Sequence, residues 1–168
     1  MLFAQSPELT AIREQYAKIT KASKEAPDKA NEGGIYCNRI TENVHSASWR
    51  AVGLYKKTFE FWYDDEPGMA CEDLGGNEAC HLQFITEDAQ TGYGAWHSEY
   101  LYQDGVLVFA FLAHEGGEYR YYWKNNGDMF RFQHDKEIMD PDTPQYIIDA
   151  KEIWDEGQKF RQKYIDLF

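Results

Sequence analysis

Three strand-like runs follow one another in this chain, Gly94–Gln103, Val106–His114 and Glu118–Lys124, and a fourth covers Asp128–His134. The connections between them are only a few residues long. Parallel neighbours need a crossover of a dozen residues or more, so these runs must form an antiparallel meander. Asp104-Gly105 and Asn126-Gly127 are two-residue hairpin signals, because a type I′ turn needs positive φ at both central positions. Gly116-Gly117 serves the middle turn. The segments "YQDGVLVFAF" and "WKNNGDMFRF" resemble each other, which two copies leave as a meander rather than a repeat array.

The flanks read as helices. Ser6-Pro7-Glu8 combines a capping Ser, Pro at the first helical position and an acid in the first turn. Leu9, Ile12, Tyr16 and Ile19 then fall on one face, and the helix fades by Ala26-Pro27. Residues 27–43 are polar and read as a connector. From Val44 the period changes to two, giving one long strand bent at Gly53 or two strands ending in "TFEFWY". An acidic loop from Asp64 to Ala79 precedes a further strand over residues 80–86. At the other end, Thr143 caps and Pro144 opens a helix with the stripe Ile147, Ala150, Trp154, Phe160, Tyr164 and Phe168, gapped near Gly157. Helix, strands, helix is an α+β order. The expected fold is one domain over residues 1–168. A twisted antiparallel meander sheet of six or seven strands, curved and either barrel-like or open, packs with an N-terminal and a C-terminal helix.

Composition narrows the function classes. Hydrophobic residues at 43% and aromatics at 16% exclude disorder. A net charge of -12 without a Lys/Arg stripe argues against nucleic acid and against an anionic membrane surface. No apolar run nears the roughly 20 residues of a membrane span, so membrane insertion is not expected. Met1-Leu2-Phe3-Ala4 reads as the remnant of a signal peptide, which makes the expected location periplasmic or secreted, with the cytoplasm as the alternative. Cys71 and Cys80 bracket a short Gly-bearing loop. A disulfide there would stabilise by roughly 2.5–3 kcal/mol and fits export, leaving Cys37 over. Three reduced thiols are the alternative. The spacing is not the paired motif of a zinc site.

Counting through two-residue turns sorts side chains by face. One face collects Ala95, His97, Glu99, Leu101, Val108, Ala110, Leu112, His114, Tyr119, Tyr121, Trp123, Phe130, Phe132 and His134. The other collects Trp96, Ser98, Tyr100, Tyr102, Leu107, Phe109, Phe111, Arg120, Tyr122 and Arg131. A one-residue bulge would swap a strand between them. Neither face is purely polar, so both need cover. His114 and His134 flank Tyr119 on the first face and stand apart by roughly twice the 4.8 Å strand spacing, which is poor metal geometry. No metal and no cofactor is expected. Tyr119, Tyr121, Trp123 and His134 are the candidate ligand-binding residues, and His97, Glu99 and His114 the candidate catalytic ones, with His as base and Glu99 as its orienter. Arg120 and Arg131 beside Tyr122 either solubilise the sheet or grip an anion. The acidic loop offers oxygen ligands of the kind Ca²⁺ takes, without EF-hand spacing.

The stretches "MLFAQSPELTAIREQY", "EYLYQDGVLVFAF" and "EYRYYWKNNGDMFRF" resemble the small exported domains of unknown function common in Bacteroidetes. The resemblance covers about half of the chain. It implies export and no known activity, and no functional residue carries over. The leading expectation is an exported, non-enzymatic binding module whose aromatic-rich curved face takes a small apolar or sugar-like ligand, or a protein partner. A small hydrolase or isomerase with a His/Glu site, and a structural domain that forms a homodimer through one sheet face, are the alternatives.

Overall fold

An antiparallel sheet that is apolar on both sides needs a cover on each, and the chain supplies one helix per face. The structure, a computed structural model, describes residues 6–25, 35–50, 53–64 and 79–167. The elements run α1 (Pro7–Glu25), β1 (Tyr36–Glu42), β2 (Ser48–Trp49), β3 (Gly53–Tyr63), β4 (Leu82–Thr91), β5 (Gly94–Gln103), β6 (Val106–His114), β7 (Gly117–Trp123), β8 (Met129–His134), β9 (Glu137–Met139) and α2 (Pro144–Asp166). The sheet order is β1-β3-β4-β5-β6-β7-β8-β9, every pair antiparallel, with the two-residue β2 added beside the start of β3. This is the expected α+β meander between two helices, larger than six or seven strands and not closed into a barrel. Among the described residues its edge strands are β1 and β9. The expected signal remnant at residues 1–4, the Cys71 half of the disulfide and residues 65–78 of the acidic loop lie outside the described residues.

The extra strands come from segments with little apolar content. The connector contains β1, an edge strand in which Ile40 packs against the core while Tyr36, Cys37 and Arg39 are exposed. β9 is three residues long and follows a turn with Asp135 at φ 51°. β4 runs on to Thr91, beyond the expected end at residue 86. The helix starts hold. The Ser6 hydroxyl accepts the Leu9 N–H at 3.2 Å, whereas Thr143 precedes Pro144 without a side-chain cap.

Three turns decide which side chains share a face. Asp104 and Gly105 both have positive φ, 50° and 72°, as a type I′ turn requires. One step into β6, however, Tyr102 pairs with Leu107 while Leu101 pairs with Phe109, so Val108 is an extra residue. This bulge swaps most of β5 to the opposite face from the one that counting gives. The middle turn is Glu115-Gly116, and the two-residue slip leaves faces unchanged. At the third, Lys124 N–H donates to Asp128 O, bracketing a three-residue loop with only Gly127 at positive φ. The extra residue Phe130 then restores the expected pairing from Tyr122↔Arg131 onward.

The α1 face therefore carries Trp62, Phe84, Leu101, Val108, Phe109 and Tyr122 under Leu9, Ile12 and Ile19. The α2 face carries Phe59, Phe61, Tyr100, Tyr102, Leu107, Tyr121, Trp123 and Phe132 under Ala150, Phe160 and Tyr164. The gap in the α2 stripe is its closest approach. Gly157 is buried, its carbonyl accepts the Tyr102 hydroxyl at 2.7 Å, and a Cβ there would stand 2.6 Å from Leu107 Cδ2 and 3.3 Å from Tyr100 Cδ1. Both neighbours are fully buried and cannot step aside. Gly157→Ala is therefore expected to destabilise by about 1–2 kcal/mol, overpacking outweighing the roughly 1 kcal/mol that Ala gains as a helix former. Urea unfolding checks this, and a stabilised variant would contradict the close packing.

Candidate functional site

The Val108 bulge separates the residues that the sequence grouped. His97 and Glu99 lie on the α1 face, and His114, Tyr119 and His134 on the α2 face. The register row Thr58–Asp88–His97–Ala113 crosses four strands. His97 sits between two carboxylates, Nδ1 2.8 Å from Asp88 Oδ1 and Nε2 3.0 Å from Glu99 Oε1. The other oxygen of Glu99 accepts a short hydrogen bond from the Tyr16 hydroxyl of α1. The Glu99 hydrogen bond, reinforced by Asp88 and opposed by burial, raises the His97 pKa to about 9. Burial, and then Glu99, pushes the Tyr16 phenol up as well. At neutral pH His97 is thus an imidazolium whose two N–H groups both donate to carboxylates. It has no lone pair to act as a general base. What the arrangement does is tie α1 to β4 and β5. Beside it, an open depression of about 590 Å³ has a floor that includes Lys56, Thr58, Asp88, Gln90 and His97.

On the opposite face, Tyr119 stacks between two imidazoles, 5.0 Å from His114 and 4.5 Å from His134, with interplanar angles of 20° and 8°. Gly116 organises the stack. Its N–H donates to His114 Nδ1 and its carbonyl accepts the Tyr119 hydroxyl at 3.0 Å. His114 is exposed and the other two rings are half-buried. Tyr121 and Trp123 are 5% and 2% exposed because α2 covers them. Tyr121 stacks on Phe132 at 4.8 Å and Trp123 meets Trp154 at 5.5 Å. The four candidate ligand-binding residues thus divide into a surface pair, Tyr119 and His134, and a core pair.

A cluster that the sequence reading passed over lies next to His114. Lys57, Glu87, Trp96, Ser98, Leu112, His114 and Glu156 are among the residues around a cavity of about 230 Å³ between the sheet and α2. Glu87 is 2% exposed and pairs with Lys57 Nζ at 2.7 Å. The Lys57 ammonium also stands 5.3 Å from the centroid of the Trp96 ring. Glu156 accepts the Tyr100 hydroxyl at 3.1 Å. Burial, and then the Glu87 charge, raises its pKa, against the Tyr100 hydrogen bond. The sequence held one signal for this cluster. In β4 the inward series Ile85, Glu87, Ala89 places a charge at an apolar phase, and a buried charge must be paired.

Among the described residues no group of three or more His, Cys, Asp or Glu converges on a point suited to a metal ion. In the Asp88–His97–Glu99 trio the imidazole ring separates the two carboxylates. No described helix is long and apolar enough to cross a membrane. Cys80 is held in a disulfide and Cys37 is free. No family model, no curated protein and no solved structure matches this chain.

Because the His97 pKa is raised on folding, its contribution to stability is complete below the ordinary value of 6.5 and is lost as pH rises through about 9. With the side chain 34% exposed, screening leaves about 1–2 kcal/mol of the roughly 3 kcal/mol that the full shift represents. Urea unfolding of native protein and His97→Gln at pH 6, 8 and 10 should show a gap of that size at pH 6 that closes by pH 10. A gap constant with pH would remove the imidazolium from this role.

Proposed function

We propose that this protein is an exported binding module that holds a small sugar-like ligand in the cavity beside Trp96. The observation that carries the reading is the pairing of a half-buried indole with a hydrogen-bonding charge cluster around the buried Glu87 in one cavity. A pyranose ring has an apolar face of C–H groups and a rim of hydroxyls. The first packs on an indole, and the second needs acceptors and donors together. Glu87 and Glu156 supply acceptors, and Lys57 and Ser98 supply donors. A volume of about 230 Å³ lies below the roughly 300 Å³ at which drug-sized sites begin, which suits a single ring. The Cys80 disulfide supports the export part of the reading, since such bonds persist in oxidising compartments.

The hydrolase alternative moves with the site. It gains one specific observation, the unequal setting of the two carboxylates. Glu87 is paired with Lys57, and Glu156 is pushed towards its protonated form. Such a difference separates a base from an acid. Bound ligand recovered unchanged after long incubation keeps the binding reading; hydrolysis lost in both Glu156→Gln and Glu87→Gln replaces it.

The test is a monosaccharide and short-oligosaccharide panel read by tryptophan fluorescence. A sugar that binds native protein should bind Trp96→Ala about 10–30-fold more weakly, the loss of an apolar platform of about 1.5–2 kcal/mol. Tyr119→Ala should leave affinity unchanged. Loss of binding in Tyr119→Ala with retention in Trp96→Ala would transfer the site to the His114–Tyr119–His134 stack.

A further inference from the structure

Charges in the cavity beside Trp96 do not cancel. Lys57, Glu87 and Glu156 line it together, one cation against two carboxylates. Lys57 is committed to Glu87, with Nζ 2.7 Å from Oε1. Glu156 accepts the Tyr100 hydroxyl at 3.1 Å and forms no ion pair among the described residues. Other nearby cations do not supply the balance. Lys163, two turns further along α2, bonds to Glu42 at 3.1 Å, and Lys159 is exposed. His114 accepts the Gly116 N–H at Nδ1, as a neutral ring does. The His97 imidazolium gives both N–H groups to Asp88 and Glu99 on the far face of the sheet. One carboxylate, the half-buried Glu156, is therefore in excess. Burial and the Glu87 charge push it towards its protonated form, against the Tyr100 hydrogen bond and the weaker pull of Lys57 and Lys159. Such an acid is stabilised as a carboxylate by any cation that enters beside it. The cavity wall also tolerates a cation, since the Trp96 ring already draws the Lys57 ammonium to 5.3 Å.

We propose that the Trp96 cavity takes an amino sugar, a single pyranose whose ammonium group pairs with Glu156. This ligand class rests on the cavity's being a sugar site, and it narrows the ligand from a neutral ring to a cationic one. The ammonium supplies the missing counter-charge, and its three N–H donors suit an acceptor-only carboxylate. The ring hydroxyls are left to Ser98 and the Lys57–Glu87 pair.

Tryptophan-fluorescence titrations with glucosamine, glucose, N-acetylglucosamine, cyclohexylamine and cyclohexanol at neutral pH test the proposal. Glucosamine should bind native protein about tenfold more tightly than glucose, the gain of one charge-assisted hydrogen bond. N-acetylglucosamine, which lacks the charge, should show no such gain. The preference for the amine should disappear in Glu156→Gln, whose amide oxygen can still accept the Tyr100 hydroxyl. Should that variant fail to fold, the native comparison of glucosamine with glucose decides alone. Glucose bound as tightly as glucosamine overturns the ammonium contact and leaves the sugar site standing. Cyclohexylamine preferred over cyclohexanol, with none of the sugars bound, places the failure in the sugar reading instead. An amine preference that survives in folded Glu156→Gln, or no binding of any compound, overturns the proposal.

Discussion

The extra residue at Val108 sets the arrangement on which the rest depends. A strand has period two, so one inserted residue exchanges its faces. With the bulge in place, Tyr100 and Tyr102 turn towards α2, while Leu101 and Glu99 turn towards α1. Without it, the large rings of β5 and β7 would point to opposite sides. α2 would lose Tyr100 and Tyr102, and α1 would receive them in place of Leu101. The bulge aligns the bulky residues of neighbouring strands so that each helix meets a continuous apolar surface.

Much of this architecture is legible in the sequence, for reasons that also mark where legibility stops. Helix starts, Gly-containing turns and period-two alternation are local, and the α+β meander follows from them. β1 was hidden because an edge strand buries one side: Ile40 packs against the core, and the exposed Tyr36 only stacks on Tyr63 from outside. The face assignments failed at Val108 because nothing in "DGVLVFAF" distinguishes a residue in register from one outside it. At Asn126-Gly127 the opposite happened. The loop is one residue longer than a type I′ turn, and the bulge at Phe130 cancels the difference, so His134 and Tyr119 lie where counting placed them. Agreement there came from two compensating irregularities.

The candidate site was legible only in fragments. His114 and Tyr119 were found together because both lie near one turn. Lys57, Glu87, Trp96 and Glu156 come from β3, β4, β5 and α2, and no spacing along the chain links them. His97 shows the converse. A histidine near a glutamate reads as a base with its orienter, but Asp88 arrives from the next strand and occupies the second nitrogen. The chemistry of such a residue depends on its third neighbour.

Among the polar side chains that the helices deliver to the sheet, one from each helix arrives at adjacent residues of β5. Tyr16 of α1 donates to Glu99 on one face, and Glu156 of α2 accepts from Tyr100 on the other. Glu156 precedes Gly157, whose missing side chain lets α2 approach Leu107 and Tyr100. The same close approach that seals the core therefore carries a carboxylate to the edge of the Trp96 cavity, within the field of Glu87. Packing and site share one cause here. The helix comes near because residue 157 has no Cβ, and the acid is pushed up because the helix comes near.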